Sequence, residues 1–220
     1  MANTNTGGFG LRAVMTVGNT PATSGQSEYK IKSGLGVGIF KNNPVSLQDA
    51  SGDQGYLQDA SFATTDDGGS GGAAYDNTGH APLIGAFNGC FFVNSTTSKP
   101  TFANSVAAST TFGTDYNTGS NDGIGFVNDN PQQEYVIKTD AAVTQAMIGD
   151  AGYNTNSFTA TDAKDGQSTV TLDIGGGAAS THMFKLVRSA NDPENKDNTA
   201  IGSNQIVVIA GASNLYNGDN

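Results

Sequence analysis

GAFNGCFFVNSTTSKPTF, residues 85–102, is the most apolar stretch of the chain and holds its single cysteine, Cys90. A run of apolar and aromatic residues stops at Asn94-Ser95-Thr96-Thr97, and apolar character returns at Pro100-Thr101-Phe102. The pattern predicts a buried strand, a polar turn and the start of a second strand. Along it, Cys90 and Phe92 point to one face, and Phe91 and Val93 to the other. A strand with large apolar residues on both faces is covered on both. One cover is the domain interior, and the other is an interface between subunits, for which Phe91 and Val93 are the candidates.

The surrounding chain is polar. Hydrophobic residues make up 36% of its 220 residues and charged residues only 14%, with 30 glycines. That lies below the roughly 45–50% apolar content usual for a globular chain. Apolar runs still recur along the length, so short strands joined by turns and long polar loops fit better than disorder. The expected architecture is mainly β: a single β-barrel or β-sandwich-like domain with one short helix, long polar loops and an extended N-terminal arm. The predicted divisions are an arm over 1–20, a β-rich domain over 21–215 that includes a long loop at 48–81, and a polar tail over 216–220.

Alternation places strands at 11–17, where Leu11, Ala13 and Met15 interleave with Arg12, Val14 and Thr16, and across 28–39 up to the turn signal Asn42-Asn43-Pro44. Gly34, Gly36 and Gly38 alternate with apolar residues in the second of these, leaving one face without side chains. Residues 123–140 read as strand, Asn-Asp-Asn-Pro turn, strand. Thr139 or Asp140 is placed to cap a short helix ending at Gly149. Further strands are expected at 168–174, 181–188 and 204–210.

The net charge of −10 argues against binding a phosphate backbone through a basic face. Residues 1–48 differ from the rest, with Arg12, Lys30, Lys32 and Lys41 against Glu28 alone. A basic N-terminal arm on an acidic body suits docking on an acidic partner surface. No run of ~20 apolar residues marks a membrane span. The opening MANTNTGGFGLRAV lacks the basic and apolar regions of a signal peptide, so synthesis in a cytoplasm is expected.

Little in the chain points to catalysis. His80 and His182 are the only histidines, one in a Gly-rich loop and one in a strand pattern. Each reads as an ordinary surface or half-buried side chain. Gly68-Gly69-Ser70-Gly71-Gly72 matches the spacing of a nucleophile elbow but lacks the strand and helix that motif needs. Asp162 and Asp165, near Gly166, and Asp66-Asp67-Gly68 place carboxylates beside glycine, without the alternate spacing of a calcium loop. Cys90 reads as a reduced core thiol. No cofactor, no metal and no enzymatic activity are expected.

Several stretches together resemble a family. MANTNTGGFGLRAV resembles the opening of small structural proteins of tailed phages, with Ala13 where that pattern carries proline. EYKI followed by Asn43-Pro44-Val45, LIGAFNGCFFVNSTTSKPTF, GFVNDNPQQEYVIKTD, THMFKLVRSANDPENKD and NQIVVIA are similar to further stretches of those proteins, in the same order. The family is that of head decoration, or cement, proteins. The resemblance implies a non-enzymatic capsid component on the virion exterior that binds the outside of the major capsid protein shell. On that reading Phe9, Leu11, Arg12 and Val14 anchor the arm on coat subunits, ordering only as they dock. A homo-oligomer is expected, a trimer as first choice and a dimer as second, contacting neither nucleic acid nor membrane. The rival expectations are a tail- or fibre-associated structural protein and a secreted carbohydrate-binding module.

Overall fold

A computed structural model describes residues 8–18, 20–21, 25–48, 52–60, 83–116, 118–150, 152–156, 166–178, 182–190 and 205–211. Two antiparallel sheets dominate it and neither closes into a barrel, so the sandwich-like form of the expected β architecture is the one adopted.

The first sheet contains β1 (Arg12–Thr16), β2 (Thr20–Pro21), β11 (Gln133–Lys138), β14 (Phe184–Ser189) and β15 (Gln205–Ala210), in the order β14-β15-β11-β1-β2. Strand β11 lies at its centre, and all six of its residues are buried. Its inward residues Tyr135 and Ile137 join Leu11, Leu172, Phe184, Leu186, Ile206 and Val208 in one core. On the opposite face Val136 packs with Val207 and Ala190, flanked by Phe9, Val14 and Val187.

The second sheet contains β3 (Ser27–Ile31), β5 (Pro44–Leu47), β6 (Leu57–Asp59), β7 (Gly85–Val93), β8 (Pro100–Ala103) and β10 (Gly123–Asn128). The order is β3-β10-β7-β5-β6, with β8 paired to the second half of β7. Its core gathers Ile31, Val45, Leu57, Phe87, Cys90, Phe92, Phe112 and Val127. Phe92 stacks on Phe112 with ring centroids 4.8 Å apart. The sheet curls until Lys30 and Tyr56 form a single parallel bridge between its two edges. Charges secure this seam: Lys32 pairs with Asp53, and Asp122 accepts from Tyr56 at 3.2 Å and faces Lys30 at 3.7 Å.

Two small ribbons complete the described structure, β4 (Ile39–Phe40) with β9 (Ser105–Val106), and β12 (Asn154–Thr155) with β13 (Leu172–Asp173). Consecutive strands β10 and β11 belong to different sheets, so the Asn-Asp-Asn-Pro turn carries the chain from one layer to the other. The Tyr135 hydroxyl donates back across this corner to the carbonyl of Asn128 at 2.8 Å.

Several expectations are corrected. The short helix is a single 3-10 turn, Gln145–Met147. Asp140 does not cap it; the Asp140 carboxylate accepts from the Ile174 amide and the Asn156 side chain, which ties the segment to the β12–β13 ribbon. The strand expected through residue 39 stops at Ile31, because Gly34 takes φ +79° and turns the chain. Of the strand expected at 168–174, only Leu172–Asp173 forms. The long loop at 48–81 contains β6, whose Leu57 is fully buried; residues 61–81 lie outside the described set.

Candidate interaction faces

The N-terminal segment is part of the domain. Gly10 donates to the carbonyl of Val170 at 3.1 Å and Leu11 to that of Asn42 at 2.8 Å. Gly10 has φ +71°, and a Cβ built there would lie 2.3 Å from the Asn42 oxygen. Only glycine fits so close an approach in that conformation. From this pinch point Arg12–Thr16 runs antiparallel to β11, with a bulge between Ala13 and Met15. Leu11 is therefore core, which corrects its expected place among the partner-binding anchors. Arg12 is exposed and sits 5.2 Å over the Phe9 ring, while Phe9 and Val14 are half-buried on the outer side. Residues 1–7 of the expected arm lie outside the described set.

Register gathers cations on this outer side. Arg12, Val136, Val207 and Arg188 form one cross-strand row, and Met15, Glu134, Ile209 and Lys185 form the next. Glu134 is buried and accepts a bidentate pair from Arg188, at 3.0 and 2.5 Å. That contact holds the Arg188 guanidinium above its ordinary pKa. Lys138 shares the face; its buried stem desolvates the ammonium and lowers its pKa. On a chain of net charge −10, this sheet face carries, among the described residues, Arg12, Lys138, Lys185 and Arg188 against Glu134.

A second face is apolar and open. On the outward side of the second sheet, Lys30, Ile124, Phe91 and Phe102 lie in one row, and Glu28, Phe126 and Gly89 in the next. Phe91 and Phe102 touch with centroids 4.9 Å apart, and Phe102 is 75% exposed. Beside them an open hollow of about 310 Å³ is lined by Asn88, Gly89, Phe102, Asn104 and Phe126, among others. Phe91 thus faces outward as the sequence suggested. Val93 does not join it, being buried under Gly113 and the bridge between Asn94 and Phe112.

The remaining candidates place simply. His182 is half-buried, with Nδ1 3.2 Å from the carbonyl oxygen of Gly152. Cys90 faces the core, and burial pushes its thiol up to about 12. His80, the Gly68–Gly72 run, Asp66, Asp67, Asp162 and Asp165 lie outside the described residues. Sequence reasoning missed Phe102, Ile124 and Phe126 as surface residues, and Lys185 and Arg188 as partners of Arg12. Comparison with family models, with curated proteins and with solved structures finds no match.

Proposed function

We propose that this protein is a non-enzymatic structural component of a virion. In this reading it is a decoration, or cement, protein that binds the outer surface of the major capsid protein shell. The observation that carries the reading is the cationic outer face of the first sheet. A protein of net charge −10 presents Arg12, Lys185 and Arg188 together on rigid strands, so an acidic partner surface is attracted to one orientation of the molecule. Phe9 and Val14 add apolar contact beside the charges.

The sequence resemblance supports the same reading. Its motifs fall on β1, β3, β5, β7, β8, β10, β11, β14 and β15, so the likeness lies in the framework of both sheets. Cementing is then linkage: a protein that binds only the expanded shell stabilises it against internal pressure. Docking as an oligomer raises avidity without requiring strong single contacts.

Co-sedimentation of the purified protein with expanded and unexpanded coat shells tests this. The expected result is saturable binding to expanded shells that weakens with salt and with R12E/K185E. Both side chains are exposed, so the pair of reversals leaves the fold intact. Absence of binding to either shell would overturn the proposal. Recovery with tails and not with heads would replace it with the tail-associated alternative.

A further inference from the structure

The outward face of the second sheet carries a knob, a hole and two opposite charges in a self-complementary arrangement. The knob is Phe102, 75% exposed and braced by Phe91. The hole is the open hollow of about 310 Å³ lined by Asn88, Gly89, Asn104 and Phe126, among others. Glu28 and Lys30 are exposed on β3, two residues apart on this same face.

We propose that this face is an isologous interface between two copies of the chain. An isologous contact requires every feature and its complement on one surface. Consider a twofold axis lying in the interface, crossing the strands and passing between the two rows. It lays Lys30-Ile124-Phe91-Phe102 of one copy on Glu28-Phe126-Gly89 of the other. Lys30 then meets the partner's Glu28, Ile124 meets the partner's Phe126, and Phe91 sits over the partner's Gly89, which has no side chain. Phe102 enters the hollow between the partner's Phe126 and Asn104. The same contacts recur with the copies exchanged, so the Lys30–Glu28 pair forms twice, each charge is matched once, and each large side chain faces a small one or an aromatic one.

The edge of the sheet does not compete for this role. Strand β8 opens at Lys99-Pro100, and a lysine and a proline at an edge discourage strand-to-strand pairing. The face therefore associates by side-chain packing, with the exposed aromatics as its centre. A twofold contact selects the dimer over the threefold assembly expected from sequence. It does not depend on the capsid reading, since it is formed by this chain alone.

Sedimentation equilibrium of the purified full chain across a wide concentration range is the test. The expected result is a reversible dimer. F102A raises its dissociation constant by at least about tenfold and leaves the melting temperature of the monomer unchanged. E28K weakens the dimer and E28Q weakens it less, while neither moves the melting temperature of the monomer, an outcome that general misfolding does not produce. A chain that stays monomeric at every concentration overturns the proposal. So does a trimer, or an E28K chain that dimerises as tightly as the original. None of these results bears on shell binding, which is read separately.

Discussion

Leu11 and Arg12 are neighbours with opposite fates. The Leu11 side chain is fully buried among Tyr135, Leu172 and Phe184, whereas Arg12 is exposed over Phe9. Leu11→Ala should therefore cost about 2–5 kcal/mol, the range for emptying a packed leucine site, seen as a lower urea midpoint with unchanged slope. Arg12→Ala should move that midpoint by less than about 0.5 kcal/mol while reducing shell binding. Alternation at 11–16 shows that these two residues face opposite ways. It does not show what lies on either side, because a strand docked on a partner and a strand within its own sheet share the same period. The signal that was available is Phe9 between two glycines: Gly10 is confined by the Asn42 carbonyl, and Gly8 by the carbonyls of Thr169 and Val170. Glycines needed for close approach imply that something is approached, and here it is the domain itself.

At the scale of elements, strands with plain alternation were legible and those whose glycines reverse the usual logic were not. In β10, Gly123 and Gly125 face the core, where Phe112, Leu57, Ile31 and Phe87 already fill the space, and Ile124 and Phe126 turn outward. Alternation alone assigns this strand no inward face, because here the glycines and not the large residues face the core. The helix failed for a different reason. Its apolar spacing at 142–147 is real, but Asp140 is engaged by the Ile174 amide and Asn156, and tertiary hydrogen bonds outweigh weak helix propensity over so short a span. For β1 the consequence is direct. Removing residues 1–17 deletes the strand that pairs with one edge of the central β11, together with core residue Leu11. The truncated chain should lose its cooperative thermal transition and its near-ultraviolet circular dichroism. A folded truncated domain would show that β1 is dispensable.

For the whole molecule, buried acids set the alkaline limit of stability. Burial pushes the Cys90 thiol up to about 12, and burial raises Tyr135 above its ordinary value. Tyr153 is raised by burial and by Asp150, and Tyr56 by burial and by Asp122. Each is neutral in both the folded and unfolded states below its ordinary value and contributes nothing there. Above that value the unfolded chain ionises first and holds fewer protons, so stability falls as pH rises toward the folded values. Lys138 acts in the opposite sense. Its lowered pKa means the folded state sheds a proton first, which adds stability as pH approaches the ordinary lysine value. One lysine does not offset Cys90 and three tyrosines, and a net charge already at −10 grows more negative over the same range. The urea midpoint should hold level between about pH 7 and 8.5 and then drop steeply above about pH 9.5, where free thiol and tyrosine ionise. In the native protein Cys90 should resist a thiol reagent at about pH 8, where an ordinary thiol reacts readily. Ionisation of the buried Tyr135 should in turn appear together with unfolding and not ahead of it. A thiol labelled in the native state, or a midpoint flat through that range, would show that these side chains reach water and that the two cores are looser than their packing implies.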